Sequence, residues 1–363
     1  MTSVPKVLNV PVVPNRPLAI PEDTPRLGEM ALRRNVALEL VENQQFDPSL
    51  VEYDEQYQND QTESAVFRAH MAEVIEILKE FMPRQSRLVE VGCGKGQFVE
   101  MLMLDRHFQV TGYDAAYQGF NPNIHRRYLS EGERIKCDLV VLRHVLEHVQ
   151  NPYNFLRMLK EIFGNIPIYC EVPDLDWILD SQAFFDVTYE HVNYFNQNSL
   201  KSLFGGKVLR IGRLFGEQYL FVIAKLGDLS AAFAEQYSVE DNWETLDFYQ
   251  LFPSIYAQLD KLDRQEAVRR FYVWGAATKG CLFAFHLANS GRLREKLGFV
   301  VDINPAKWSK FVPGTSIPIH SPEYLYKSIE QSDAVIVANP NYEIEVRALL
   351  ANQGLERVTV WSL

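Results

Sequence analysis

The most constraining feature of this chain is an apolar strand that leads straight into a glycine-rich turn, Val89–Gly96. Glycine has no Cβ, so the chain can bend tightly here and a ligand can approach the backbone closely. A strand, such a turn and a following helix open the nucleotide-binding units of α/β proteins. We therefore expect an adenosyl-type cofactor at this turn, with contacts from Glu90, Gly92, Gly94 and Gly96.

Strand patterns and helix patterns alternate after this turn. Apolar runs predict strands at Gln109–Tyr113, Cys137–Leu142 and Ile166–Glu171, and helical spacing of apolar residues predicts a helix at Pro152–Phe163. Alternation of this kind is typical of a parallel sheet covered by helices.

Two later apolar runs, Val208–Phe215 and Tyr219–Ala224, are separated by a short turn and predict an antiparallel hairpin. By analogy at the level of the fold, such a hairpin closes the sheet of class I methyltransferases and is missing from dehydrogenase Rossmann domains. The dinucleotide fingerprint G-x-G-x-x-G also requires a glycine where Gln97 stands. We therefore predict S-adenosylmethionine as the cofactor. Asp114, which ends the next strand, would accept its ribose hydroxyls, with Tyr113 as a further contact.

The patterns divide the chain into segments and indicate its fold class. Residues 1–66 are rich in proline and predict an irregular N-terminal arm, and residues 67–225 predict the cofactor-binding methyltransferase domain. Residues 226–268 predict a helical linker, and residues 269–363 predict a smaller Rossmann-like domain. The expected fold is α/β: a class I methyltransferase Rossmann-like sheet with a closing antiparallel hairpin, plus the smaller C-terminal Rossmann-like domain.

Composition limits the possible partners. The 363 residues include 36 Lys and Arg against 47 Asp and Glu, a net charge of −11, whereas phosphate backbones are bound by a basic surplus. We therefore expect a small-molecule substrate and no nucleic acid. The four cysteines lie far apart without a C-x-x-C pair, so we expect no metal. The sequence lacks a signal-like or bilayer-length apolar run, so we expect a cytoplasmic protein without membrane contact.

Histidines and acids follow the predicted strands, where open α/β sheets bind their ligands. His144 and His148 come after the strand at Cys137–Leu142, and we expect His144 nearer the cofactor and His148 nearer the methyl acceptor. Glu190-His191 lies in an aromatic stretch after the following strand. His144 and His148 could instead be hydrogen-bonded scaffold histidines, and Glu190-His191 could instead be a surface or core pair within a lid over the site.

The chain resembles the C-methyltransferases that act on nucleotide-linked keto-deoxysugars. The resemblance runs through the glycine turn, the Glu190-His191 pair, and the C-terminal runs Gly275–Gly280 and Val301–Lys307. It implies that His191 is the base, that Glu190 orients the sugar or the imidazole, and that His148 is a second acceptor-site histidine. It also implies a role for Tyr57 in the N-terminal arm.

The chain departs from this family at several points. The family carries an N-terminal zinc module with four cysteines, and this chain has no cysteine before Cys93. Thr188 aligns with a family tyrosine two places before the glutamate, and Tyr189, shifted from that position by one residue, is the catalytic tyrosine expected in its place. A Gly-Gly-x-x-Arg pattern in the closing hairpin is also missing. These differences leave the acceptor open.

The C-terminal glycine run predicts a phosphate-binding helix start, with Thr278 and Lys279 facing a diphosphate. The resemblance implies that this domain binds the nucleotide half of the acceptor, with Asp302, Asn304 and Lys307 as further contacts. The alternative is a purely structural domain that caps the first one.

The resemblance implies a reaction. His191 removes a proton from the carbon next to the ketone, donors stabilise the resulting enolate, and that carbon is methylated. One alternative is O- or N-methylation of another small acceptor. Another is a sugar-nucleotide-binding protein without catalysis.

Overall fold

The structure is a computed structural model that describes residues 8–22, 24–54, 56–291 and 293–363, without the side chains of residues 256 and 257. The N-terminal segment, for which the sequence predicted an irregular arm, instead forms short strands over its described part. Its prolines prevent a long helix, but they are compatible with strand ends and turns. The strands are β1 (Leu8–Pro11), β2 (Leu27–Met30), β3 (Leu32–Asn35) and β4 (Leu40–Asn43).

The middle of the chain contains a mixed sheet and its covering helices. The helix α3 begins where the Asn151 side chain accepts the Asn154 N–H, and Pro152 suits its first turn because the missing N–H needs no partner there. In chain order the elements are α1 (Ala65–Phe81), β5 (Arg87–Val91), α2 (Gln97–Asp105), β6 (Gln109–Tyr113), β7 (Ile124–His125), β8 (Leu139–Arg143), α3 (Pro152–Phe163), β9 (Pro167–Pro173), α4 (Leu175–Asp180), β10 (Asn193–Tyr194), α5 (Gln197–Ser202), β11 (Val208–Leu214) and β12 (Tyr219–Lys225).

This sheet has seven strands in the order β11-β12-β9-β8-β5-β6-β7. The pairs among β7, β6, β5, β8 and β9 are parallel, whereas β12 is antiparallel to both β9 and β11. A parallel sheet that ends in such a hairpin is the class I methyltransferase arrangement that the sequence predicted, and the fold class is confirmed.

The segment after the hairpin differs from the predicted continuous helix. Pro253 interrupts the helical pattern. The backbone from Trp243 to Thr245 pairs antiparallel with β3, and Trp243 lies opposite Asn35. The segment thereby completes a four-stranded sheet in the order β10-β4-β3-β13. Its elements are α6 (Ala231–Ser238), β13 (Trp243–Thr245), α7 (Phe248–Leu251) and α8 (Ser254–Asp263).

The C-terminal part forms a second α/β unit, as predicted. Its six-stranded sheet has the order β16-β17-β15-β14-β18-β19, in which only the β16–β17 pair is antiparallel. The elements are β14 (Phe271–Trp274), α9 (Thr278–Ala288), α10 (Leu293–Lys296), β15 (Leu297–Val301), β16 (Lys310–Phe311), β17 (Pro318–His320), α11 (Pro322–Ser328), β18 (Ala334–Val337), α12 (Glu343–Ala351) and β19 (Thr359–Ser362).

The strand ends of the seven-stranded sheet face the strand ends of the six-stranded sheet. The turn of the closing hairpin docks on the end of β18, where Gln218 and Asn339 exchange side-chain hydrogen bonds of 2.8 and 3.0 Å. The Asn341 side chain donates to the Phe215 carbonyl at 2.7 Å beside them. The contact holds the carboxyl ends of both parallel sheets toward one shared space.

Among the described residues, we find no helix with the length and apolar character needed to cross a bilayer.

Candidate active site

A cavity of about 290 Å³ lies between the carboxyl ends of the two parallel sheets. One wall carries the glycine turn after β5 and the loop after β8, and the opposite wall carries the turns after β14, β15 and β18. Residues of the N-terminal segment, among them Asn15 and Tyr57, close a third side. Ligand sites of open α/β sheets occupy this position, so the cavity is the candidate active site.

The glycine turn adopts backbone conformations that favour glycine. Gly92, Gly94 and Gly96 have φ values of 75°, 55° and 84°. Gly94 lines the cavity, and a Cβ added to it would meet no other atom within 4 Å. The turn therefore leaves room for a ligand against its backbone, as expected for a cofactor cradle.

Glu90 and His144, two of the predicted cofactor contacts, line the cavity. Glu90 is only 2 % exposed, and its Oε2 has no hydrogen-bond partner. Burial raises the pKa of Glu90 to about 7, although the nearby Arg143 charge opposes this shift. A buried acid without a partner at the end of β5 is a group that a bound ligand can satisfy.

Asp114, Tyr113 and Gly96 are not among the residues that line the cavity. The Asp114 carboxylate accepts the Gly94 N–H at 2.8 Å and the Ala116 N–H at 2.7 Å, so in this structure it shapes the turn. The Tyr113 ring packs on His125, and Gly96 precedes the first residue of α2. The open turn and the unpaired Glu90 nevertheless fit an adenosyl cofactor.

His148 is held by the segment that carries the other predicted catalytic groups. Its Nδ1 lies 2.8 Å from the Glu190 backbone carbonyl oxygen and 3.1 Å from the Tyr53 hydroxyl. Burial lowers the pKa of His148, so the ring is neutral at neutral pH. Because a carbonyl oxygen only accepts, Nδ1 carries the proton and Nε2 keeps a free lone pair.

His191 lies next to His148, with 5.0 Å between the ring centroids. Burial lowers the pKa of His191 far below its usual range, and the positive charge of Lys279 acts in the same direction. Its Nδ1 is buried without a hydrogen-bond partner. A neutral imidazole that lines a cavity has a lone pair available for a proton, which is the property that a general base needs.

Two buried carboxylates flank the histidines. Burial raises the pKa of Glu190 to about 8, whereas the Tyr57 hydroxyl opposes this shift. Sequence reasoning did not single out Glu147, which is 1 % exposed and whose Oε1 lies 3.3 Å from His144 Nδ1. Ligand atoms of Glu147, His148 and His191 all lie within 4.8 Å of one another. This set could hold a metal ion, so the expectation of no metal stays a prediction.

The structure separates the two predicted catalytic tyrosines. Tyr57 lines the cavity, and the Asn15 amide donates to its hydroxyl at 3.5 Å. Tyr189 points away into the core, where its hydroxyl accepts the Asp47 N–H at 2.8 Å and donates to the Gln45 carbonyl at 3.2 Å. The prediction of a catalytic Tyr189 is therefore wrong: Tyr189 fixes the N-terminal segment.

Thr278, Lys279, Asp302 and Lys307 reach the cavity from the C-terminal unit. Lys279 is already engaged, because its Nζ lies 2.5 Å from the buried Asp186 carboxylate. Asp302 accepts the Ala276 N–H at 2.7 Å and pairs with Lys307 at 3.1 Å.

Asn304, a predicted substrate contact, is not among the residues that line the cavity. Its side chain accepts the Ala306 N–H at 2.9 Å and thereby caps the short helix Pro305–Lys307. This local bond orients Lys307, which does line the cavity.

A buried charged network supports the cofactor side of the cavity. The Glu171 carboxylate accepts from Tyr169 at 2.6 Å, and its Oε1 lies 3.1 Å from His70 Nε2. Arg143 and His144 are the other neighbours of this oxygen, at 3.4 and 3.2 Å. The sequence did not single out His70 as a functional residue. The one available signal was a glutamate inside the apolar strand β9.

Comparisons with known proteins agree with this architecture. Residues 63–206 match the family model of a methyltransferase domain, and residues 250–357 match that of a C-methyltransferase C-terminal domain. Comparison with curated proteins gave no match.

Solved structures of methyltransferases are also similar to parts of the chain. An S-adenosylmethionine-dependent methyltransferase from Aquifex aeolicus has 16 % identity and a TM-score of 0.34, and the match covers 50 % of this chain and 99 % of that chain. The 1,6-didemethyltoxoflavin-N1-methyltransferase of Burkholderia thailandensis has 15 % identity and a TM-score of 0.34, with 45 % and 79 % covered. The CurJ carbon methyltransferase has 13 % identity and a TM-score of 0.33, with 45 % and 55 % covered.

Proposed function

We propose that this S-adenosylmethionine-dependent methyltransferase methylates the carbon next to the ketone of a nucleotide-linked keto-deoxysugar. The observation that carries the proposal is the neutral His191 imidazole beside His148, in a cavity shared by the glycine turn and the C-terminal α/β unit. One wall of the cavity suits the methyl donor and the other suits a nucleotide. The histidines lie where the two ligands would meet.

The cofactor wall comprises the glycine turn, Glu90, Arg143 and His144. When bound there, S-adenosylmethionine supplies an electrophilic methyl group. The open space at Gly94 admits the ligand, and the Asp114 bond to the Gly94 N–H keeps the turn in place. This wall therefore binds and orients the donor.

His191 acts as the base in this proposal. A carbon beside a ketone becomes nucleophilic only after it loses a proton, and the proton moves to an imidazole nitrogen of His191. The imidazolium that forms is stabilised by Glu147, whose carboxylate lies within 4.8 Å of His191 and also 3.3 Å from His144 Nδ1. Burial of the site excludes bulk water and strengthens this interaction.

Glu190 and Tyr57 stabilise the enolate oxygen. With its pKa raised to about 8 by burial, the Glu190 carboxyl group is mostly protonated at neutral pH and can donate a hydrogen bond. The Tyr57 hydroxyl supplies a second donor next to it. Donors aimed at developing negative charge in a buried site are the strongest electrostatic contribution that such a cavity can make.

The test is a product analysis. The protein is incubated with methyl-13C-labelled S-adenosylmethionine and nucleotide-linked 4-keto-6-deoxysugars, and the product is examined by NMR. We expect a labelled methyl group bonded to carbon. A labelled methyl on oxygen or nitrogen would favour the alternative acceptors instead. Cofactor binding without turnover on any keto-sugar would favour a binding protein.

A further inference from the structure

Lys95 belongs to the cofactor-binding glycine turn, but its side chain faces the opposite α/β unit. It lines the same cavity as Lys307, which comes from the C-terminal unit. The Lys95 ammonium also donates to the Gln58 side chain of the N-terminal segment. One side chain of the turn therefore reaches the region where the acceptor is expected.

The positive charges around Lys95 are close together. Burial lowers the pKa of Lys95, and the charges of Lys307 and Lys310 lower it further, whereas Asp60 opposes them. The Lys307 side chain is 2 % exposed, and its ion-pair partner Asp302 also accepts backbone N–H groups from Ala276 and Asn304. Clustered ammonium groups in a buried cavity favour an anionic ligand.

The start of α9 adds backbone donors to the same region. Ala277, at the N-terminal cap of this eleven-residue helix, provides no side-chain cap, and residues 277–280 line the cavity. Asn15 is 5 % exposed and contacts Thr278 at 2.7 Å, while its Oδ1 is buried without a partner. A helix start with free N–H groups is an anion site, and the unpaired amide oxygen can accept from a ligand hydroxyl.

We propose that Lys95 and Lys307 hold the diphosphate of the acceptor between the two α/β units, above the start of α9. This inference rests on the proposed function, because it takes the acceptor to be linked to a nucleoside diphosphate. Lys279 is paired with Asp186 and Lys307 with Asp302, so the contact that this inference adds is the one from Lys95. The turn that cradles the cofactor would thus also contact the second substrate.

The test measures binding of uridine diphosphate and thymidine diphosphate by calorimetry to the full chain and three variants. Lys95→Met removes the charge, Lys95→Arg keeps it, and Lys327→Met removes an exposed charge on α11, away from the cavity. We expect Lys95→Met to weaken diphosphate binding by about 10- to 100-fold, as for the loss of a charge-assisted contact. Lys95→Arg and Lys327→Met should stay within about threefold of the unmodified chain.

Binding of S-adenosylhomocysteine to the same variants checks that the glycine turn is intact, and we expect its affinity to be unchanged. Equal diphosphate affinity in the unmodified chain and in Lys95→Met would overturn this inference and leave the proposed function standing. If the unmodified chain bound neither diphosphate, the acceptor class itself would be wrong, and this inference would fall with it.

Discussion

The Nδ1 atom of His148 lies 2.8 Å from the backbone carbonyl oxygen of Glu190. This bond links the loop after β8 to the segment that carries Glu190 and His191, and it fixes which nitrogen of His148 is protonated. The two ring nitrogens of His148 therefore have different roles. Nδ1 donates the hydrogen bond that holds the two loops together, and Nε2 keeps a lone pair that can accept a hydrogen bond or a proton in the cavity.

Substitutions at His148 can separate these two roles. The side-chain amide of His148→Asn can replace the Nδ1 donor but offers nothing at Nε2. We expect this variant to keep its thermal stability and to lose at least about tenfold in turnover. His148→Leu leaves the Glu190 carbonyl without its donor and should also lose about 1–3 kcal/mol in the free energy of unfolding. Equal stability of the two variants would contradict a holding role for Nδ1.

Replacement of Glu190 by glutamine should change how stability depends on pH. Burial raises the folded-state pKa of Glu190 to about 8, so the folded chain retains a proton that the unfolded chain releases near the ordinary glutamate pKa of 4.5. Between these values the folded state binds more protons, and the unmodified chain loses stability as pH rises. The slope is at most about 1.4 kcal/mol per pH unit.

Glutamine does not ionise in this pH range, so the Glu190→Gln variant does not lose stability in this way as pH rises. Its advantage in unfolding free energy over the unmodified chain should therefore grow from about pH 5 to about pH 8 and then level off. Denaturant unfolding of both proteins across this range measures the difference. A constant difference would mean that Glu190 is already ionised in the folded chain.

Gly94→Ala and Gly132→Ala form a matched pair. Both glycines have positive φ, at 55° and 84°, and a Cβ on either meets open space. Only Gly94 lines the cavity, whereas Gly132 is exposed in a distant loop. We expect each variant to lose about 1 kcal/mol of stability from backbone strain. Only Gly94→Ala should also weaken S-adenosylhomocysteine binding, by about tenfold or more. Equal affinity in both variants would place the cofactor elsewhere.

The contact between the two α/β units depends on the buried Gln218–Asn339 pair. Gln218→Leu leaves the buried Asn339 Nδ2 without its acceptor, although Oδ1 still accepts the Asn341 N–H, and this should cost about 1–3 kcal/mol. The double variant with Asn339→Leu removes both polar groups and should recover part of that loss. A double-mutant cycle from denaturant unfolding measures the coupling, which we expect to be about 0.5–3 kcal/mol. Additive effects would show that the pair does not couple the units.

The sequence predicted the elements whose signals are local. The bounds of β6 and α3 match the predicted ranges, because each depends on a short apolar period and on signals within a few residues. The strands of the N-terminal segment were not predicted, since each has only four residues and two of them also pair with distant strands, as Asn35 does with Trp243 and Glu42 with Asn193. No local pattern encodes a partner two hundred residues away.

Part of the candidate site could also be predicted from the sequence. His148, Glu190 and His191 were expected to converge, because loops after neighbouring parallel strands meet at one sheet edge. Tyr189 was misplaced because its side chain lies in the core while its neighbour Glu190 faces the cavity, and sequence order does not reveal this. Glu147 and Lys95 gained their positions from tertiary packing, for which single-residue patterns give no signal.

The most direct test of the central claim is proton exchange at the acceptor carbon. The protein is incubated in deuterium oxide with the keto-sugar nucleotide and S-adenosylhomocysteine, which cannot donate a methyl group, and NMR follows the hydrogen next to the ketone. We expect deuterium to enter this position and His191→Asn to slow the exchange by about 10²- to 10⁴-fold without loss of cofactor binding. Exchange at the same rate in His191→Asn, or methyl transfer to carbon in an enzyme that catalyses no exchange, would contradict the central claim.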